Sequence, residues 1–397
     1  MTQTILQPTA TNPTQATNIM QQLIDSLTEC YEFRHNVIMG YAETRPKNDP
    51  DASWSPVTEQ VLNTMTIKLL KSGLNVWDRD VRRFINSTDL PDFNPVADYL
   101  SSVAGRWDGQ DHIRALARTV PTDVPRRWPA WFHRWFLAMV AQWQGRDHSF
   151  GNAIVPLLIS EQGMHKSTFC RLLLPEPLRS WGYTDNCTLA DERQIHLMMS
   201  QMLLINLDEF NRISPQKQSG LLKNIVQLPS VKVRRPYSSH TEEIPRLASF
   251  IATTNMSRIL ADPTGSRRFI GVQITGPIHI PRSINHEQLY AQALAELDHG
   301  IRYWFTDTET KSIMQHNRKY HITSDAEGFF LEHFELTTDE TLGQWMSAAS
   351  IIESLHKKAR GSFRAPTVYM MGRTLSCLPG IVRQHTHYGE RYLVRAK

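Results

Sequence analysis

Residues 153–168 read Ala153-Ile154-Val155-Pro156-Leu157-Leu158-Ile159-Ser160-Glu161-Gln162-Gly163-Met164-His165-Lys166-Ser167-Thr168, and the fold class turns on them. The first seven are an uninterrupted apolar run of strand length, which suits a strand buried on both faces. Lys166 to Leu174 has helical character, so the stretch between is a strand-to-helix turn. Such a turn presents backbone N–H donors at a helix start, a lysine supplies charge and a hydroxyl can ligate Mg²⁺. A nucleotide triphosphate such as ATP requires that combination. Gly163, Met164, His165, Lys166, Ser167 and Thr168 are therefore the candidate nucleotide-binding residues. The pattern G-x-x-x-x-G-K-[ST] is not met in full, because Ser160 holds the first glycine position and His165 the second. Taken alone, the turn is better read as an ordinary helix start.

The residues that follow change that balance. Met202 to Leu207 is a second apolar run and ends on Asp208-Glu209, about forty residues beyond Lys166-Ser167. An acid at that position binds Mg²⁺ together with the loop hydroxyl, so Ser167 and Asp208 are the candidate metal ligands and Glu209 the group that polarises an attacking water. A third run, Ser249 to Thr254, leads into Asn255, whose amide is a candidate for reaching the terminal phosphate or the water. A fourth, Phe269 to Ile274, follows Gly265-Ser266-Arg267-Arg268. An arginine there can neutralise charge on a transferred phosphoryl from a neighbouring subunit. The catalytic candidates are Glu209, Asn255, Arg267 and Arg268. Singly, each has a bland explanation as a capped strand, a turn or a solvated basic pair. Their order along the chain is harder to explain that way. Between the runs, Asp191 to Met199 is helical, as is Ser214 to Gln227, with Ser214 as N-cap and Pro215 at the first position. Strands alternating with helices predict an α/β domain of three layers with a mostly parallel sheet, the P-loop NTPase class.

The runs Gln162 to Phe169, Leu207-Asp208-Glu209, Arg235-Pro236-Tyr237, Ala252 to Asn255 and Asp262 to Phe269 resemble the virulence-associated E family. Upstream, Arg34 to Val37, Asn94 to Leu100 and Trp107-Asp108-Gly109 resemble its bacteroidete branch, as does Leu289 to Ala293 downstream, so the likeness runs from about residue 31 onward. The resemblance implies an AAA+-like, primase-linked helicase. Such a protein works on single- or double-stranded DNA with ATP and Mg²⁺ as a ring-shaped homo-oligomer, in replication of a phage or mobile genetic element, with a primase or another replication protein as partner. By position it makes Lys166 and Ser167 the phosphate and Mg²⁺ residues, Asp208 and Glu209 the metal and water residues, Asn255 the sensor, and Arg267 or Arg268 the finger. Ser160 and His165 depart from the family's glycines. A Cβ at His165 opposes the backbone angle such a loop uses, whereas a protonated imidazole would add a donor to phosphate. The alternative reading is a degenerate, non-hydrolysing fold that serves as a DNA-docking or assembly scaffold. A small-molecule phosphotransferase is a third, disfavoured by Arg267-Arg268.

Elsewhere the chain is less specific. Its 397 residues suit two or three units at roughly 150 residues each. Hydrophobic residues at 41% and charged residues at 21% are those of an ordinary folded protein, and a formal net charge of +4 permits a polyanion without demanding one. No stretch is apolar for long enough to predict a membrane span, and Met1 to Gln21 lacks the basic start and apolar core of a secretory signal. Cys30, Cys170, Cys187 and Cys377 lie far apart, which fits reduced thiols in a cytoplasmic protein. The expected units are a flexible lead-in (1–18), a mostly helical N-terminal domain (19–120), the nucleotide-binding domain (125–280), a helical extension (281–334) and a C-terminal domain (335–397). In the front domain Asp78 and Asp80 read as solvated charges rather than a metal site. Trp131, Trp135, Phe136, Met139 and Trp143 fall on one helical side and read as core.

Two regions are candidates for nucleic-acid contact. Val231 to Val233 and Glu243 to Arg246 read as a paired excursion around Pro236-Tyr237-Ser238-Ser239 that carries Lys232, Arg234 and Arg235. A solvated basic hairpin or a subunit contact explains the same residues. At the C-terminus, helices are expected from Thr338 to Leu342, over Ala348 to Ala359 and over Thr367 to Leu378, the last carrying Arg373, followed by two alternating runs around a short turn. Helices followed by a hairpin predict a winged-helix-like unit, supported by Lys357, Lys358, Arg360, Arg364 and Arg383. Such units also serve as protein contacts.

Overall fold

The structure, a computed structural model, describes residues 13–146, 152–187, 189, 191–235, 240–261, 266–281, 283–322, 325–358, 366–378 and 380–397. The predicted turn Pro236 to Ser239, the stretch Asp262 to Gly265, and Arg360 and Arg364 lie outside the described residues, as does most of the predicted lead-in.

The front of the chain, expected to be mostly helical with one strand-like alternation over Tyr31 to Tyr41, carries a four-stranded sheet. Its strands are β1 (Tyr31–Asn36), β2 (Tyr41–Pro46), β3 (Ser55–Pro56) and β4 (Asp92–Phe93), in the order β3-β2-β1-β4. The strand signal of β2 is masked in sequence because charged side chains on one face pair across the sheet. Arg34 Nε donates to Glu43 at 2.6 Å and Arg45 Nε to Glu32 at 2.5 Å. Helices Pro13–Cys30, Glu59–Lys71 and Asp78–Ile85 cover the other face, burying Leu23, Leu27, Phe33, Met65 and Phe84 together. The first helix begins inside the predicted lead-in, and Asp80 accepts from the Trp77 N–H at 3.1 Å as a helix-start residue. The core of this unit ends at Leu90. Helices Pro95–Val103 and His112–Arg118, expected to belong to it, bury Val96, Leu100 and Ile113 in the central core instead.

The central sheet is built from β5 (Val155–Ile159), β6 (Tyr183–Thr184), β7 (Leu204–Leu207), β10 (Ser249–Thr254) and β11 (Phe269–Gln273). Between β7 and β10 lies the excursion of β8 (Ser230–Val233) and β9 (Glu242–Pro245), an antiparallel pair. The five sheet strands are all parallel, in the order β11-β5-β10-β7-β6. Alternate side chains feed two cores, which makes three layers. Leu158, Ile251 and Ile270 pack against helices Trp128–Trp143 and His286–Asp298. Leu157, Ile205 and Phe250 pack on the opposite face with Ile195 and Met199 of helix Glu192–Gln201. The aromatic stripe of Trp131, Trp135, Phe136, Met139 and Trp143 is buried, as expected of core. The helical stretch after Ser214 is not uniform, with a π-helical turn at Gln218–Leu222 directly before Lys223. Edge strand β6 has no distinct sequence signal, being only two residues long.

The C-terminal unit comprises helix Asp325–His333, β12 (Phe334–Leu336), β13 (Gln344–Ser347), helices Ala348–Lys358 and Val368–Cys377, and the hairpin β14 (Val382–Thr386) and β15 (Gly389–Ala396). β15 pairs antiparallel with β12, β13 and β14. The helix expected from Thr338 to Leu342 is a turn instead. The Asp339 carboxylate accepts from the Thr341 N–H at 2.8 Å and hydroxyl at 2.7 Å, a local closure that competes with helix. Phe330 and Phe334 share a core with Ile351, Leu375 and Val394, so helix Asp325–His333 packs with this unit rather than with the preceding helices. Among the described residues no helix is long and apolar enough to cross a membrane.

Candidate functional site

In a parallel sheet the ligand-binding side lies beyond the carboxyl ends of the strands. Here β10 sits between β5 and β7, with Thr254 level with Ile159 and Ala252 level with Leu207, so three strand ends converge. They open on a cleft of about 370 Å³. It is lined by Gln162 through Thr168, Asp208, Glu209 and Thr253 through Asn255. Every loop residue singled out in the sequence is brought to this one place, together with Asp208, Glu209 and Asn255.

The two departures from glycine in the loop are physically different. Ser160 is buried and keeps a negative φ, so nothing at that position demands glycine. Its N–H donates to the Thr254 carbonyl at 3.2 Å, which fastens the loop to the neighbouring strand. His165 does adopt the left-handed region, at φ 63° and ψ 24°, where a side chain costs roughly 1 kcal/mol or more. Gly163 shares that hand at φ 85°, with open space where a Cβ would stand. The chain thus makes the bend with an imidazole at its second corner, and the imidazole lines the cleft without filling it.

Lys166 is docked on its own loop. Its Nζ donates to the Ser160 carbonyl at 2.9 Å, the Ser160 hydroxyl at 2.8 Å and the Glu161 carbonyl at 2.8 Å. Burial lowers the pKa of this ammonium, and the Asp208 charge opposes that shift. Asp208 accepts through one oxygen from Ser167 Oγ at 3.1 Å and from the Thr253 hydroxyl. The hydroxyl of Ser167 and the carboxylate of Asp208 are thereby held together at the cleft floor, a hard-oxygen pair of the kind Mg²⁺ uses. Among the described residues no group of three or more His, Cys, Asp or Glu forms an all-protein metal cage. Glu209 has φ 49° and ψ 52°, and its carboxylate pairs with Arg212.

Several of these partners have no sequence signal. Thr253 and Thr254 read as the end of an apolar strand, yet Thr253 bonds Asp208, and Thr254 Oγ1 donates to Asn211 at 3.3 Å. Arg212 and the lysine-holding role of Ser160 likewise follow only from the three-dimensional arrangement.

The basic candidates separate. Arg267 is exposed and Arg268 is 4% exposed, and neither lines the cleft. Lys232 and Arg234 are exposed on the excursion. Arg235 is instead turned toward the front unit. Its Nη2 donates to the Val37 carbonyl at 3.2 Å, and its guanidinium occupies the space beside Gly40 that a Cβ would need. Arg373 is exposed on the last helix and does not line the cleft.

Comparison with known proteins agrees with this architecture. The virulence-associated protein E-like domain matches residues 100–322. A domain of unknown function described from B. theta (DUF3874) matches residues 323–394, close to the start of the C-terminal core. No curated protein matches the chain. Among solved structures, the apo NrS-1 C-terminal region (305–718) is similar in fold, with TM-score 0.50 and 12% identity over 96% of this chain and 99% of that one. Two A-form apo structures of the same region match with TM-scores of 0.48 and 0.47, at 11% and 13% identity over the same shares of the chains.

Proposed function

The chain belongs to the virulence-associated protein E-like family, and from that premise we propose that it is a P-loop NTPase. In this reading it binds and hydrolyses ATP with Mg²⁺ to work on DNA, as a ring-forming, helicase-like module in replication of a phage or mobile element. One observation carries the proposal. A lysine, a hydroxyl, two acids and an amide, drawn from three separate strand ends, line a single cleft at the carboxyl edge of a parallel sheet. An unrelated helix start would have no reason to collect them.

Each residue then has a part. The backbone from Gly163 to Thr168 and the Lys166 ammonium hold phosphate. Lys166 exchanges the carbonyls that now occupy it for phosphate oxygens. Ser167 and Asp208 hold Mg²⁺, which supplies charge neutralisation between phosphates when bound. Glu209 takes a proton from the attacking water after leaving Arg212, Asn255 orients that water, and Arg267 of one copy serves the cleft of the next. Lys232, Arg234 and Arg373 contact DNA. The C-terminal order of helix, two strands, two helices and hairpin supports a winged-helix-like unit.

A non-hydrolysing scaffold is the second reading, favoured by the side chain at the left-handed position of His165. ATP turnover with and without single-stranded DNA separates the two. Turnover abolished by Lys166→Ala supports the motor. An inactive native chain that gains turnover from His165→Gly supports the scaffold.

A further inference from the structure

A further cavity, lined by none of the nucleotide-cleft residues, lies at the C-terminal unit. It is a groove of about 880 Å³ between the last helix, the tip of the C-terminal hairpin and the central unit, with Lys223, Tyr369, Arg373, Tyr388 and Glu390 on its walls. We propose that this groove is a binding site for single-stranded DNA, in which Tyr369 and Tyr388 stack on bases while Lys223 and Arg373 meet the phosphates. The proposal rests on the reading of the chain as a DNA-working protein and assigns residues from two units to one strand site.

Three observations carry it. Tyr388 is 90% exposed and Tyr369 77% exposed, the two most exposed large hydrophobic side chains among the described residues, and both line one groove. Aromatic rings left in water contribute little to folding, whereas base stacking uses their faces. Two cations, Lys223 and Arg373, line the same groove against the single acid Glu390. Glu390 is itself paired with His385 Nδ1 at 3.0 Å. Lys223 is the central unit's contribution, and the π-helical turn Gln218–Leu222 immediately precedes it. Such turns are frequent at functional sites, and this one lies on the segment that leads away from Glu209.

The same features select the strand form. Duplex DNA hides base faces inside its own stack, and only unpaired bases offer a ring to a tyrosine. A protein partner would need acidic side chains to meet Lys223 and Arg373 and would not require two exposed aromatic faces.

Fluorescence anisotropy with labelled oligo-dT, alongside a duplex of equal length, tests the assignment on the full chain without nucleotide. The double variant Tyr369→Ala/Tyr388→Ala is expected to bind oligo-dT about tenfold or more weakly, and Tyr388→Phe to stay within about twofold of the native chain. Lys223→Ala is expected to flatten the logarithmic salt dependence by about 0.7. Unchanged oligo-dT affinity in the double variant overturns the proposal, as does an equal loss on duplex or an absence of oligo-dT binding by the native chain at low salt. ATP turnover measured on the same proteins keeps the two readings apart. Tyrosine-dependent oligo-dT binding by a chain without turnover supports the groove and removes the ATPase.

Discussion

Ser167 Oγ lies 3.1 Å from Asp208 Oδ1, joining the helix start after β5 to the end of β7 across the strand between them. That bond holds two hard oxygen atoms side by side at the cleft floor, one from the helix start and one from the strand end. Asp208→Asn keeps the shape and removes the charge. ATP turnover should fall by about 10²-fold or more, with Mg²⁺-dependent nucleotide affinity falling in parallel. Thermal melting of the apo protein should move little. A large loss of stability with unchanged turnover would assign Asp208 to structure alone.

His165 tests the loop geometry. Because its φ is 63°, glycine is compatible there and a β-branched residue is not. His165→Gly should retain nucleotide binding and melt at or slightly above the native temperature. His165→Val should destabilise the chain by about 2 kcal/mol and abolish binding, as read by melting and by titration with a fluorescent nucleotide.

Arg246 is 1% exposed and donates to the carbonyls of Ile225, Val226 and Asn152 and to Gln142 Oε1, at 3.2, 2.8, 2.8 and 3.0 Å. Burial lowers its pKa to about 9. Arg246→Ala would strand those acceptors and open a cavity, so a loss of about 4 kcal/mol or more is expected in denaturant titration.

Lys232 and Arg235 should behave differently although they are near neighbours in sequence. Lys232→Ala should weaken DNA binding at low salt and reduce its salt dependence by about one phosphate contact. Arg235→Ala should leave that slope unchanged. It should instead increase proteolysis near the front unit, because its guanidinium holds the Val37 carbonyl. Identical salt slopes for both variants would contradict the assignment.

Glu309 provides a pH test. Hydrogen bonding from Arg302, followed by contacts from Thr306 and the charge of Arg134, draws its carboxyl down to about 2. A depressed acid stabilises the fold above the unfolded carboxylate range of about 4.3 and loses that effect as pH falls toward the folded value. The difference in melting temperature between the native chain and Glu309→Gln should be largest above pH 5, shrink below pH 4.5 and vanish near pH 2. A constant difference across that range would show that the charge is not what stabilises.

The central sheet was readable because each of its four longer strands is a nearly pure apolar run ending in a polar signal, such as Asp208-Glu209 or Asn255. The front sheet was readable only in part: alternation over Tyr31 to Tyr41 marks β1, whereas β2 is hidden because Glu32, Arg34, Glu43 and Arg45 neutralise one another only after β1 and β2 pair. Residue type and order nominated the cleft residues, but their linkage came from register. Thr253 reaches Asp208 because Ala252 pairs with Leu207, a relation that spans some forty-five residues of chain. The same limit explains Arg235 and Arg268. A basic side chain in sequence does not announce whether it faces water, another unit or the core.

The position of β10 also governs how the protein assembles. β5 and β7 never touch, so neither can finish its ladder until Ser249–Thr254 has emerged and slotted between them. Until then, both present bare, largely apolar edges, and the closing contacts are distant along the chain. Slow maturation and strong dependence on chaperones or cool expression follow from that delay.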